Sequence, residues 1–515
     1  MKDVIAVIDF GSQYSQLICR RIRESGVYAE LFQYDIKESD LENFNLKGII
    51  LSGGPNSVYE KKSPQLPKFI LKKNIPIFGI CYGMQLLIQN CGGKVIQSKL
   101  REYGVANLNV ENNSSIFFGL KKKEIVWMSH GDEVVSIPNE CKKIASTENC
   151  KFAAIENLPQ NIFGIQFHPE VKHTKSGKKI LENFIFKICK CKKSWTPKSF
   201  INETIHEIRN KIGNEKIILG LSGGVDSSVT AALLHKAIGN NLICIFVDNG
   251  LLRKNEFENV NQTFKKFPHF NLISVNAKKK FLSALKNVIN PETKRKIIGK
   301  TFIEVFESTI QKQLKNSTIN FFAQGTLYPD VIESAHPERK KAGLIKTHHN
   351  VGGLPKNLKF TLIEPLRYLF KDEVRKVGKS LGLPDEIIFR HPFPGPGLAV
   401  RIIGNVNEKS LSILREADFI FNEELLKANL YKKLWQSFAV LTNVKSVGVM
   451  GDGRTYENLL ALRAVQSDDG MTADWSQLPF SLLKKVSSRI VNEVKGINRI
   501  VYDISSKPPS TIEWE

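Results

Sequence analysis

No stretch of the 515-residue chain approaches the ~18 apolar residues that a membrane-spanning helix needs, so no membrane partner is expected. Acidic residues are scarce beside basic ones, 51 against 74, which leaves a formal net charge of +23. Such a charge raises nucleic acid as a partner. The lysines come in twos and threes, as at Lys121–Lys123 and Lys278–Lys280, without one long basic tract. Solvated surface lysine accounts for most of the charge, and no nucleic-acid partner is expected. The eight cysteines include no C-x-x-C pair, which argues against a zinc site and a disulfide scaffold. Met1–Asp9 is a short strand carrying an acid and does not resemble a secretory signal, so a cytoplasmic enzyme is expected. At 42% hydrophobic and 24% charged residues, the composition is that of a globular protein of about three domains.

The strongest local signal is Ser222-Gly-Gly-Val-Asp-Ser-Ser228, between the apolar run Ile217–Leu221 and a helix-like run from Val229. Strand, glycine-rich loop and helix follow one another. Gly223 and Gly224 let backbone N–H groups approach an anion closely, and the helix N-terminus adds positive potential. Ser222, Ser227 and Ser228 add hydroxyls, and the Asp226 carboxylate is a candidate Mg²⁺ ligand. No lysine follows the glycines, so this is not a Walker A loop.

In the first two hundred residues, the short apolar strands Val4–Ile8, Gly48–Leu51 and Ile75–Ile80 alternate with helical patterns, predicting a parallel sheet covered on both faces. One strand runs into Gly79-Ile-Cys81-Tyr-Gly83, the spacing of a nucleophile elbow with Cys in place of Ser. A lone cysteine is ordinarily buried and inert. Cys81 differs because a second strand, Phe163–Phe167, ends in His168-Pro-Glu170, a base with a carboxylate two residues on.

Further along, the polar run Cys189–Pro197 is expected to be a linker. Leu242–Asp248 is a second apolar strand ending in an acid. Lys346–Pro355 has the composition of a lid, and its His348–His349 pair suits lid contacts better than zinc. His391–Gly397, dense in proline and glycine, marks an expected boundary. The last ~120 residues suggest a small α+β domain. Composition alone favours a frayed C-terminal tail.

Gly79–Gln85 and Gln166–Glu170 resemble class I glutamine amidotransferases, and Ser222–Ser228 resembles the Ser-Gly-Gly-x-Asp-Ser loop of ATP pyrophosphatases. Their order, with Val247–Arg253, Ala323–Asp330, Lys346–Pro355, His391–Arg401 and Lys507–Glu515, resembles the glutamine-hydrolysing GMP synthases over essentially the whole chain. The resemblance implies an α/β protein of three domains. These are a class I glutaminase at 1–190, a doubly wound parallel-sheet ATP pyrophosphatase at 197–390, and an α+β dimerisation and XMP-binding domain at 391–515.

It implies a Cys81–His168–Glu170 triad, with Gly54 (in Ser52–Pro55) and Tyr82 supplying the oxyanion N–H groups. Ser222, Gly223, Gly224, Val225, Asp226, Ser227 and Ser228 would hold ATP and its pyrophosphate, Lys371 touching the latter. Arg295, Gln436, Lys507 and Glu513 would hold XMP, which brings the tail into a site. The substrates would be XMP, Mg-ATP and glutamine, and the assembly a homodimer. Ser510 stands where the family has alanine. His130, in Trp127–Asp132, is expected to be structural.

Three rivals remain. A tRNA-modifying ATP pyrophosphatase suits the charge but needs no triad. An asparagine synthetase needs an N-terminal cysteine, and residue 2 is Lys2. A nucleotide-binding regulator predicts a broken triad.

Overall fold

The computed structural model describes residues 2–111, 114–313, 319–335, 360–450, 453–467 and 472–515. Lys346–Pro355, with His348 and His349, lies outside the described residues. The chain forms two compact units, Met1–Phe200 and Ile201–Glu515.

The first unit contains β1 (Asp3–Asp9), β2 (Tyr28–Gln33), β3 (Asn45–Leu51), β4 (Ile77–Ile80), β5 (Lys94–Val110), β6 (Lys123–Ser136), β7 (Lys142–Ser146), β8 (Ala154–Asn157) and β9 (Ile162–Ile165). They form one sheet in the order β2-β1-β3-β4-β9-β8-β7-β5-β6. The run from β2 to β9 is parallel, as expected. The other half is antiparallel, which the apolar runs did not announce. The reason lies in β6, where buried residues alternate with more exposed ones from Val126 to Val134. That is the pattern of a strand covered on one face only. The alternation also turns His130 and Asp132 inward.

The expected linker is packed. Cys189, Cys191 and Trp195 are buried. The N–H groups of Ser194 and Trp195 donate to Gly26 O at 3.0 and 2.9 Å, and the indole lies against Tyr28.

The second unit contains β10 (Lys216–Leu221), β11 (Leu242–Asp248), β12 (Leu272–Asn276), β13 (Ile319–Ala323) and β14 (Thr361–Ile363), all parallel in the order β12-β11-β10-β13-β14. The order reverses beside β10, and in open α/β sheets ligands bind at the strand ends of such a switch point. A second sheet holds β15 (Gln436–Met450), β16 (Gly453–Gln466), β17 (Asp474–Trp475) and β18 (Ile497–Tyr502). The helix Glu408–Lys427 packs on β15 and starts at Asn407, whose side chain accepts from the Ser410 N–H at 2.9 Å.

One apolar core runs from Ile218 in β10 through Leu398, Ile402 and Leu414 to Ile497 in β18. The proline-glycine segment His391–Gly397 therefore interrupts regular structure without separating two cores. Residues 397–406 supply Leu398, Ala399, Ile402 and Val406 to the shared interior.

Candidate active sites

Four neighbouring parallel strands of the first unit deliver their following turns to one sheet edge. β1 leads to Gly11–Tyr14, β3 to Ser52–Pro55, β4 to Cys81 and β9 to Gln166–Glu170. Cys81 precedes the helix Tyr82–Asn90 with φ of 51°, a left-handed conformation in a non-glycine residue. The turn is this tight because its glycines interlock. A Cβ on Gly79 would stand 2.6 Å from Met84 N, and one on Gly83 2.6 Å from Leu51 Cβ. The Gly83 N–H also donates to Ser52 O at 3.0 Å, tying the elbow to the Ser52–Pro55 turn.

Cys81 borders a cavity of about 590 Å³, and Gly54, Tyr82, Tyr14, Arg101, Asp132 and His168 also line it. His168 is hydrogen-bonded to the sulfur. Its Nδ1 lies 2.7 Å from Glu170 Oε1, and its backbone N–H donates to Trp127 O at 3.0 Å. The Tyr14 ring meets the imidazole edge-on, with centroids 5.4 Å apart. Burial alone would lower the basicity of His168. The Glu170 carboxylate and the Cys81 sulfur outweigh it and hold the imidazole well above its ordinary value. Cys81, His168 and Glu170 thus stand in hydrogen-bonded sequence, an arrangement suited to acyl transfer.

His130 is engaged on both ring nitrogens, with Asp132 O at 2.8 Å and Glu102 Oε2 at 3.3 Å. Thr147 Oγ1 donates to the same carboxylate. These contacts fit a structural histidine that fastens β5 to β6.

In the second unit, Ser222–Ser228 connects β10 to the helix Val225–Ile238 at the switch point. Gly223 has φ of +75°, which glycine adopts without strain. The Ser222 and Ser227 hydroxyls lie 2.9 Å apart, and the Gly224 N–H donates to Ser222 Oγ at 3.3 Å. Lys371, first residue of the helix Lys371–Ser380, places Nζ 3.4 Å from Asp226 Oδ2. Asp226 Oδ1 and Ser228 Oγ are buried without hydrogen-bond partners. Unsatisfied carboxylate and hydroxyl oxygens beside a lysine suit a phosphate–Mg²⁺ group. Arg390 donates to Gly223 O at 2.7 Å and pairs with Glu256, bracing the loop from behind.

The tail is folded, against the expectation from composition. Arg401, fully buried, makes a bidentate pair with Glu513 at 3.0 and 2.8 Å. Gln436 Nε2 donates to the same carboxylate at 2.6 Å. Arg463, also fully buried, donates to the carbonyls of Ile512, Ser505 and Thr511 and pairs with Asp503 at 2.7 Å. Buried Lys294 pairs with Glu515 at 2.5 Å, and Arg295 donates to Glu515 O. Ser510 sits against Arg463, 3.4 Å from its guanidinium. The structure thus joins Gln436 to Glu513 and brings Arg295 to the chain end. Lys507 pairs through its main chain with Ala473. Arg401, Arg463 and Lys294 are the residues that sequence reading did not single out, and their burial is invisible in composition.

Family models match three segments: "Glutamine amidotransferase class-I" over residues 6–188, "NAD synthase" over 198–297 and "GMP synthase C terminal domain" over 423–514. A glutamine-hydrolysing GMP synthase of Thermosipho melanesiensis is 60% identical over 516 residues, covering 100% of both chains. The chain belongs to the glutamine-hydrolysing GMP synthases. The family likeness holds at greater distance: a relative from Aliivibrio fischeri with the same name is 54% identical over 99% of this chain and 98% of its own. Among solved structures, a putative GMP synthase component of Thermoplasma acidophilum is 31% identical, covering 37% of this chain and 95% of its own with a TM-score of 0.33.

Proposed function

We propose that this chain aminates XMP to GMP, with glutamine as ammonia donor and Mg-ATP as activator, as the name of its relatives implies. The observation that carries this reading is identity across the full length to GMP synthases, in a chain whose Cys81, His168 and Glu170 stand in hydrogen-bonded sequence.

Cys81 attacks the side-chain amide carbon of glutamine and gives its proton to His168. Backbone N–H groups of Gly54 and Tyr82 receive the negative oxygen. His168, held by Glu170, returns the proton to the departing ammonia and then activates water to release glutamate from the thioester. In the second unit, the XMP oxygen attacks the α-phosphate of ATP. Ser222–Ser228 and Lys371 hold the pyrophosphate that leaves, and Asp226 would hold Mg²⁺, which would neutralise phosphate charge when bound. Ammonia then displaces AMP. Arg295, Gln436, Lys507 and Glu513 hold XMP.

The homodimer is proposed through the β15–β16 sheet. Val447 stands opposite Tyr456 in the ladder with Val449 two residues on, so the three share one exposed apolar face. No helix among the described residues is long and apolar enough to cross a membrane. Eight free cysteines suit the reducing cytoplasm, where we place the enzyme.

The test follows XMP absorbance with Mg-ATP, supplied with glutamine or with ammonium, for wild type and Cys81→Ala. Wild type should use both donors and the variant only ammonium. Failure of both donors with wild type overturns the substrate assignment and turns attention to a tRNA substrate.

A further inference from the structure

Gln166 directly follows β9, is fully buried, and has no part in the scheme above. Its Nε2 lies 3.5 Å from Cys81 Sγ. Its Oε1 accepts from Gln85 Nε2 at 3.2 Å, and that same Nε2 lies 3.5 Å from Asp132 O. The direction of this relay is fixed from its far end. A backbone carbonyl only accepts, so Gln85 must turn its NH₂ group toward Asp132. The same NH₂ group then meets Gln166, which must answer with oxygen. That leaves the NH₂ of Gln166 facing the sulfur. Both amides are buried, so neither flips without stranding a polar group at about 1–3 kcal/mol.

We propose that Gln166 is a further catalytic residue of this site, a fixed amide donor that steadies the negative charge on the Cys81 sulfur and keeps that sulfur turned to the cavity. The inference rests on Cys81 being the glutaminase nucleophile. In the attack, the Sγ–H proton passes to His168 and the sulfur pair forms the bond to the amide carbon. Gln166 keeps its own protons throughout. His168 alone would serve poorly as the sulfur's donor, since it must leave to protonate ammonia. The amide stays in place when the imidazole turns away.

Other charged and titratable groups face the sulfur. His168 follows the same strand, and Cys150 approaches from the turn between β7 and β8. Across the cavity stand His130, Asp132 and Arg101 of the β5–β6 hairpin and Tyr14 after β1. Burial and then Glu102 push the Cys150 thiol up to about 12, so it stays protonated and neutral beside Cys81 at working pH.

The test is the rate of Cys81 alkylation by iodoacetamide, read by peptide mass, which needs no substrate recognition. Gln166→Met keeps the volume and removes the donor. Its rate at pH 7 should fall about tenfold, the value of one charge-assisted hydrogen bond, and most of the deficit should vanish at pH 9. Gln166→Glu places a carboxylate against the sulfur and should fall further. Should either variant fail to fold, Gln85→Met frees the Gln166 amide to rotate and should slow alkylation several-fold at pH 7. Rates within twofold of wild type in the folded variants would overturn the role of Gln166 while leaving the nucleophile reading intact. A wild-type Cys81 that iodoacetamide leaves unmodified would overturn both.

Discussion

The elbow geometry makes a demanding prediction at Gly79, a residue that touches no substrate. A Cβ there would stand 2.6 Å from Met84 N and 2.7 Å from both the carbonyl carbon and oxygen of Gly83. All three are backbone atoms in the first turn of the helix Tyr82–Asn90, so no side chain is available to move aside. Restoring ordinary contact near 3.4 Å requires that turn to retreat by roughly 0.8 Å. The retreat stretches the 3.0 Å bond from the Gly83 N–H to Ser52 O toward about 3.8 Å, beyond hydrogen-bond length. The Ser52–Pro55 turn and the Tyr82 N–H, expected to face one oxyanion, then lose their common alignment.

Misplacement of about 1 Å costs on the order of 100-fold in rate. Overpacking costs about 1–3 kcal/mol of stability. In Gly79→Ala, glutamate release from glutamine should therefore drop about 100-fold and Tm by several degrees. Ammonium-driven XMP consumption, which belongs to the second unit, should stay within twofold. The assay is glutamate release alongside XMP absorbance and a thermal melt. Glutamine turnover within threefold of wild type would refute the steric reasoning, because the elbow would then have tolerated the methyl group without moving Cys81.

Two further outcomes concern stability. Gly299 lies on an exposed face of the helix Pro291–Gln313, and a Cβ there meets nothing within 4 Å. Gly299→Ala should stabilise by roughly 0.5–1 kcal/mol in urea titration, and destabilisation would refute it. His391 is stacked on Tyr431 and accepts from the Ser437 N–H, and burial, reinforced by Arg253, Arg375 and Arg401, lowers its pKa to about 3. An unfolded histidine takes up a proton below about 6.5, whereas the folded one stays neutral, so the unfolded state binds more protons across that window. Stability should accordingly fall as pH drops from 6.5 toward 3, by at most about 1.4 kcal/mol per pH unit from this group. His391→Asn should flatten the slope between pH 4 and 6, and parallel slopes for both proteins would refute the burial argument.

The two candidate sites were legible because their chemistry is written in turns. Gly79-Ile-Cys81-Tyr-Gly83 and Ser222–Ser228 each carry their own backbone requirement within seven residues, and the structure places each at the carboxyl edge of a parallel sheet. The Gln85–Gln166 relay was not legible. It joins residues 81 positions apart through two amides, one in the helix Tyr82–Asn90 and one just past β9, and a pairing of that kind has no local signature. The β5–β6 hairpin escaped for a related reason. Its alternating burial is marked by polar residues, His130 and Asp132, standing where apolar ones would have revealed the period. The packing of residues 397–406 was hidden by the prolines and glycines just before them, which report on backbone conformation and say nothing about what the following side chains touch.

The tail shows where such reading has to look instead. Nothing within Lys507–Glu515 requires it to fold, and its hydrogen-bonding demand comes from elsewhere in the unit. Arg401, Arg463 and Lys294 are each withdrawn from water. A buried cation left without its partner costs about 3–5 kcal/mol. Glu513 and Glu515 supply carboxylates to Arg401 and Lys294, and the Thr511 and Ile512 carbonyls serve Arg463. Order in the last residues is therefore supported by cations 48 to 221 positions upstream. Fraying the tail would take the carboxylates from Arg401 and Lys294 and two carbonyls from Arg463, which keeps its pair with Asp503. At about 3–5 kcal/mol for each stranded cation, this loss is of the same order as the about 1–2 kcal/mol of chain entropy gained per freed residue. Arg401 binds Glu513 through two nitrogens while its third, Nη1, stays buried without a partner, so even the folded tail leaves that guanidinium one acceptor short.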